Sequence, residues 1–524
     1  MSFLRKLLAI ARADVLERVR RYSFLLTLAA TAWLGWLVVR GQIVLMLDAY
    51  YGEMNGAWAG TLVAVTLSTL VTLVGFWIVK GSVEWDRRTR VGEILAAAPM
   101  SKATYVLGKS LSNFAVLAAL VVALALTAPI LVAARGVAGG FDLWGTVSPF
   151  LLIALPAMAV VAALAVLFET FRPLSGGAGN VLWFFLWGAM LAVPLVTHSP
   201  RLDMTGLMVV EESAGVAAKA VYPDYTEGLS LTVGGNDRDR VKGSFPWNGI
   251  EWTATRIAAR LAWFGVAVLI SLCAAVPFDR FDESRRRSGS GGSVPFFFQS
   301  RGQAPSAVPV PGFERKRGLT LPIPSFVPSA YTGELKLMLN GRPWWFWAVV
   351  LGLIIAGALT PVGISRGRIL PCAWIWPILV WSSMGAREAK DGAEELVFTA
   401  PRPLTRQLPA LYLAGVTVAL LAGSGVAFKC VLTGSFAGLG GWLVGAFFIP
   451  ALALCLGVWS GGSKFFEAIY TVAWYLGPMQ PVAALDFMGA SDVGLAAHAP
   501  FFYAAATAVL LAASVAGRKL KLAR

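Results

Sequence analysis

The sequence predicts an all-α polytopic membrane protein of about 12 transmembrane helices, arranged as two parallel six-helix repeats. Three observations predict it. Hydrophobic residues make up 57% of the 524-residue chain and charged residues only 14%, well below the quarter that a soluble domain carries. Apolar runs of about 20 residues, long enough to cross a hydrocarbon core, recur along nearly the whole length. Between two such runs lies a charged segment, Arg87-Arg88-Thr89-Arg90-Val91-Gly92-Glu93-Ile94-Leu95-Ala96-Ala97-Ala98-Pro99. It is echoed by Asp391-Gly392-Ala393-Glu394-Glu395-Leu396-Val397-Phe398-Thr399-Ala400-Pro401, and Glu395 and Pro401 each follow Glu93 and Pro99 by 302 positions.

The first 22 residues interleave Leu4, Leu7, Leu8, Ala11 and Val15 with Arg5, Lys6, Arg12 and Arg18. Arg12 and Asp14 cut the apolar stretch too short for a signal peptide, so a basic amphipathic helix on the cytoplasmic surface is expected. The first repeat then fills 23–283, with spans near 23–47, 58–79, 105–134, 149–168, 180–197 and 257–276. Asp48, Tyr50, Tyr51 and Glu53 form a loop without basic residues, as an outside loop should, whereas Lys80, Arg87, Arg88, Arg90 and Lys102 mark the inside. Residues 199–253 are polar and acidic, with Trp247 and Trp252 near their end, and read as a small extracytoplasmic cap returning through an aromatic interfacial segment.

Residues 284–329 change character: Arg285-Arg286-Arg287, a Gly/Ser run and then scattered prolines predict a flexible cytoplasmic linker. Its basic clusters suit anionic headgroups rather than nucleic acid, and the net charge of +15 follows from the positive-inside rule. The second repeat, 330–524, opens with a surface helix at 334–342 and the anchor Trp344-Trp345-Phe346-Trp347. Spans follow near 344–362, 369–384, 408–431, 439–458, 465–481 and 501–515, leaving a basic tail inside with the N-terminus. Ser175-Gly176-Gly177 returns as Ser460-Gly461-Gly462 in the matching turn. An even number of spans per repeat gives both the same orientation, related by an axis along the membrane normal.

Catalytic constellations are nearly absent. His198 and His498 are the only histidines, and Cys273, Cys372, Cys430 and Cys455 lie in apolar segments without paired spacing, so neither a metal site nor a redox dithiol is expected. Gly108-Lys109-Ser110 ends like a phosphate loop but lacks the upstream glycine and strand. Leu174-Ser175-Gly176-Gly177 resembles a nucleotide-site signature but sits in a tight turn between spans. Charges in spans commonly mark a transport path; Arg40, Lys429 and Glu467 are the candidates, all near span ends where long side chains snorkel. Pro156 and Pro450, in the fourth span of each repeat, can kink helices near a cavity or serve core packing.

In both charged segments small or aliphatic residues fall at helical spacing: Val91, Ile94, Leu95 and Ala98, then Ala393, Leu396, Val397 and Ala400. Each glutamate sits off the flank of that apolar face, and each proline marks a helix end. Such a helix is built to touch something outside the bilayer. A plain solvated charge is the competing role for the glutamates.

The order of surface helix, two spans, charged helix with Glu and Pro, and four more spans resembles the type-2 permease family of ATP-binding-cassette (ABC) exporters. Val91 to Pro99 with Gly108-Lys109, and Glu394-Glu395-Leu396-Val397 with Pro401, carry the likeness, which covers nearly the whole chain as two fused copies. The resemblance implies that each charged helix is a coupling helix docking one of two copies of a separate cytoplasmic ATPase subunit. ATP and Mg are then bound by those partners, and the chain itself is no enzyme and holds no cofactor. The apolar contacts would be Val91, Ile94, Leu95, Leu396 and Val397, with Glu93, Glu394 and Glu395 beside them and Pro99 and Pro401 closing each helix. Arg87, Arg88, Arg90, Arg387 and Lys390 would form a polar rim or hold phospholipid. Leu411 stands where the first copy has Lys109, which bears on whether the two repeats meet the ATPases equally. Rocking of the repeats would move a hydrophobic or amphipathic cargo across the bacterial inner membrane, with the cap available to a periplasmic partner. An ion-gradient-driven transporter would want acidic or histidine relays deep in the membrane, and an embedded enzyme a convergent set of His, Asp or Cys, neither of which the sequence offers. A non-transporting scaffold is the remaining alternative.

Overall fold

The computed structural model describes residues 3–20, 22–39, 43–134, 142–175, 177–225, 228–233, 242–281, 328–340, 342, 344–393, 403–479 and 482–522. Arg40, almost all of the 284–329 linker, and Glu394, Glu395, Leu396, Val397 and Pro401 lie outside the described residues. Among those described, seven helices are long and apolar enough to cross a membrane. An eighth is added if Ala330–Leu339 and Trp344–Leu359, bent by 101°, count together. The chain is a helical polytopic membrane protein with one small sheet.

Two cores organise it. One joins buried residues between Phe24 and Ala267, the other between Met338 and Ala490. In the N-terminal bundle α1 (Phe3–Val19) lies against α7 (Lys102–Ala134), and α2 (Tyr22–Val39) follows it. Asn55 caps α3 (Gly56–Thr66) by accepting from the Trp58 N–H. Gly60 lets α3 cross α8 (Leu143–Pro149) closely, because a Cβ there would strike the Thr146 backbone. The run continues through a π turn, Leu67–Val71, into α4 (Thr72–Val79). Thr66, Ser68, Thr69 and Thr72 donate to carbonyls three or four residues back, so these hydroxyls enter an apolar core already satisfied. The central helix α9 (Leu155–Thr170) is buried on nearly every side, whereas α13 (Ala254–Ala275) exposes Leu261 and Leu269 outward. Apolar side chains facing out along whole helices suit lipid rather than water.

The expected first span to residue 47 is shorter. The helix ends at Val39, and Ile43–Leu47 is a strand (β1) that turns through left-handed Asp48 into β2 (Tyr50–Gly52). β1 pairs antiparallel with β3 (Leu229–Val233), and β2 pairs parallel with β4 (Gly243–Phe245), giving the order β3-β1-β2-β4. The cap therefore draws strands from both sides of the first bundle, and its helix α12 (Leu207–Val221) stacks Tyr222 on Tyr50. Ile-Val-Leu-Met-Leu is as good a strand as a span end, and only the distant partner at 229–233 decides between them. Trp247, expected at an interface, is buried edge-on against Trp58.

The C-terminal bundle is more broken than its hydropathy suggests. The 369–384 run divides into a π turn, Ser365–Ile369, and helices Leu370–Ile375 and Ile378–Trp381, split at Pro377. The 408–431 run becomes Pro403–Ala422 and Ser424–Leu432, separated at Gly423, where a Cβ would collide with the indoles of Trp442 and Trp374. The 465–481 run holds a helix of only 11 residues, Lys464–Trp474, and a π turn, Tyr475–Met479. Phe436–Ser460 and Ala499–Leu522 are long continuous helices.

Candidate functional site

The charged segment begins where α4 stops. Lys80 is extended and Gly81 is left-handed at φ 102°, so the helix breaks for two residues before α5 (Ser82–Arg88), which continues the same long helical run from Gly56. Glu169, at the end of α9, receives the first N–H groups of that helix: Ser82 at 3.2 Å, Val83 at 2.7 Å and Glu84 at 3.3 Å, with Gly81 as well. A carboxylate at a helix N-terminus meets both the free donors and the positive end of the dipole. Arg90, left-handed at φ 58°, then redirects the chain into α6 (Val91–Ala97), which ends before Pro99 as expected.

The two faces of α6 differ. Gly92 is buried under the Phe281 ring, which a Cβ would strike, and Leu95 turns inward toward the cluster of Val83, Tyr105 and Phe278. Outward, Ile94 is 73% and Val91 41% exposed, with Glu93 exposed between them. Leu95, expected as a docking contact, instead seats the helix. The segment is tied down at its far end by Lys6 of α1 to the Pro99 carbonyl (2.7 Å) and by Arg280 to the Ala98 carbonyl (3.0 Å).

Beneath it lies a buried ion cluster. Lys109 of α7 stands between Asp14 of α1 (2.9 Å) and Asp86 of α5 (2.8 Å). Tyr105 donates to Asp86 at 2.7 Å, Ser112 to Asp14 at 2.6 Å, and Arg18 pairs with Asp14 at 3.0 Å. Burial pushes the Asp14 carboxyl up, but Arg18, Lys109 and Ser112 outweigh it and hold the group below its ordinary 3.8. Lys109, which in sequence marks a failed phosphate loop, is thus the cation that joins the surface helix to the charged segment.

Two of the expected rim residues, Arg87 and Arg387, are drawn into ion pairs, while Arg88 and Arg90 stay exposed. Arg87 pairs with Asp279 (3.1 Å) and Glu84 (3.3 Å) and lies 5.8 Å over the Phe281 ring, so it locks the segment to the end of α13. Arg88 pairs with Glu84 at 3.6 Å, and Arg90 serves through its backbone turn. In the C-terminal bundle Arg387 pairs with Glu334 at 3.3 Å, and Lys390 lies on the same short helix, Arg387–Asp391. Glu388 and Gln407 follow Asp86 and Tyr105 by 302 positions each, and Gln407 donates to Glu388 at 2.7 Å as Tyr105 does to Asp86. Where Leu411 replaces Lys109, the cation arrives from elsewhere: Arg518 of Ala499–Leu522 meets Glu388 at 3.3 Å. The sequence held this second matched pair, at the offset already noted for Glu93 and Glu395.

Of the expected path residues, Pro156 and Pro450 are buried in their bundles' cores, and Lys429 is half-buried near the end of Ser424–Leu432. Glu467 does not snorkel. It is 4% exposed and accepts from Asn180 at 2.6 Å across the seam between the bundles. Asn180 in turn accepts from Lys80, and Lys464 donates to the Lys80 carbonyl. Asn180 and Glu467 line a cavity of about 40 Å³ together with Trp77, Phe184, Trp376 and Leu379. Both histidines sit in left-handed turns, His198 just after α11 (Gly177–Thr197) and His498 just before Ala499–Leu522. Among the described residues no group of His, Cys, Asp and Glu could hold a metal ion.

Comparison with family models, with curated proteins and with solved structures gives no match to this chain.

Glu169→Ala is expected to unhook α5, because several N–H groups lose one acceptor, at about 1–3 kcal/mol of local stability. Limited trypsin digestion should then cut at Arg87, Arg88 and Arg90 faster than in the parent, with Glu169→Gln between the two.

Proposed function

We propose that this chain is the membrane permease subunit of an ABC exporter, built from two six-span repeats and driven by two separate ATPase subunits docked at the charged segments. The observation that carries this reading is the exposed Val91–Glu93–Ile94 surface of α6, which follows α5, itself tied to α7, α9 and the end of α13, and is held at its far end by Lys6 of α1. An apolar surface around one charge, on a helix joined directly to one fixed by ion pairs, is suited to receive a push and pass it on to spans. Separate cores for the two bundles, and the recurrence of the Asp86–Tyr105 contact as Glu388–Gln407, support the repeat. The basic segment would face the cytoplasm of a bacterial inner membrane, and the sheet-bearing cap the other side.

A photo-crosslinker in place of Ile94 should capture a nucleotide-hydrolysing subunit in the native host. Glu93→Arg should lower the ATPase rate of the purified complex and cargo transport by roughly tenfold or more, while membrane insertion and elution stay unchanged. Full ATPase activity and transport in Glu93→Arg would remove the docking role from this surface.

A further inference from the structure

We propose that Lys80, Asn180, Lys464 and Glu467 form a gate, a polar bridge between the two bundles that closes the cavity beside it and opens when the Lys80–Gly81 hinge turns. The bridge is continuous: Lys464 holds the Lys80 carbonyl, Lys80 Nζ reaches Asn180 Oδ1, and Asn180 Nδ2 reaches Glu467 Oε2. Lys80 and Glu467 are 7% and 4% exposed, so their charges depend on this arrangement rather than on water. Asn180 and Glu467 also line the cavity, which places the bridge in its wall.

Three features make the bridge a switch rather than a permanent seam. The bundles keep separate cores, and the neighbouring seam contacts are ring on ring, Phe184 with Trp474 at 5.1 Å and Trp187 with Tyr475 at 5.3 Å. The bridge residue Lys80 is also the last residue before the left-handed Gly81, where the helical run from Gly56 to Arg88 is broken between α4 and α5. Rotation at this hinge would draw the Lys80 carbonyl from Lys464 and its Nζ from Asn180 together. Finally, buried polar bridges favour two discrete arrangements over gradual sliding, because half-broken they leave charges without partners.

The inference stands on these contacts and needs no ATPase. Its test uses the full chain in nanodiscs, with the four native cysteines replaced by alanine and Thr471→Cys as reporter. Thr471 is 2% exposed and lines the cavity one turn from Glu467. A charged, membrane-impermeant methanethiosulfonate should label this reporter slowly. Asn180→Ala, which cuts the bridge, and Gly81→Ala, whose methyl meets Lys464 Nζ, should each raise the labelling rate roughly tenfold or more. A cysteine at exposed Ile94 should label at one rate throughout. Unchanged Thr471→Cys labelling in both variants overturns the gate, and a rise in Asn180→Ala alone overturns the hinge. Gly81→Ala removes no charge, and Lys464→Met replaces Asn180→Ala if that variant elutes as aggregate. Nucleotide and ATPase are absent from the assay, so failure here leaves the docking reading intact, and failure of docking leaves this result intact.

Discussion

Lys109→Leu is expected to cost about 3–5 kcal/mol of stability, the range for removing one partner of a buried ion pair. The side chain is 3% exposed and stands within 3 Å of two carboxylates that are themselves buried. Asp14 keeps Arg18 and Ser112 as partners, whereas Asp86 is left with the Tyr105 hydroxyl alone. The cost therefore falls on Asp86, and with it on the seat of α5. Asp86→Asn combined with Lys109→Leu should recover most of the loss, because a neutral amide can accept from Tyr105 without a cation nearby. Size-exclusion profiles after graded heating would measure both variants. Equal midpoints for Lys109→Leu and the parent would show that the cluster contributes no net stability. The lowered Asp14 value adds a sign: its contribution is present above the carboxyl's ordinary range and disappears as pH falls through the depressed folded value.

At the other end of the bundle, Arg260→Met is expected to cost a comparable amount, about 3–5 kcal/mol. Arg260 is 2% exposed and donates to the carbonyls of Asp203 (2.6 and 2.8 Å), Met204 (2.9 Å) and Leu152 (3.3 Å). It lies 3.6 Å from the Asp203 carboxylate, which is wholly buried and accepts from the N–H groups of Gly206 and Met208. One guanidinium thus fastens α13, the turn before α9 and the start of α12. Methionine fills similar space but takes a donor from the Asp203 and Met204 carbonyls and leaves the Asp203 charge without its cation. Proteolysis confined to 199–253, with the helical bundle intact, is the expected signature. Loss of the whole chain instead would mean that the bundle cannot fold without its cap.

The charged segment was legible because its signal is local: proline, glutamate and helical apolar spacing lie within a dozen residues, and α6 spans Val91–Ala97 as that spacing predicts. Which side of the helix is free was not legible. Val91, Ile94 and Leu95 share one apolar stripe in the sequence, yet Phe281, Tyr105 and Phe278 arrive from α7 and the end of α13 to cover Leu95 and leave Ile94 bare. Arg87 and Arg387 read as surface charge for the same reason, since Asp279 and Glu334 are distant in the chain. Asp14 was visible only as an interruption of a signal-like run, and Lys109 only as part of a phosphate-loop mimic and of the Gly108-Lys109 pair that carries the family likeness.

By itself the amino-acid order determined the membrane class, the long helices of seven of the twelve expected spans and the position of the charged helix, because hydropathy and helical period depend on residues within one or two turns of each other. Tertiary structure decided that Ile43–Leu47 is a strand, that Gly423 and Pro377 divide apparent spans, and that Lys80, Asn180, Lys464 and Glu467 meet at one seam. Each of those outcomes rests on a partner dozens to hundreds of residues away, and a buried charge or an edge strand takes its meaning only from what folds against it.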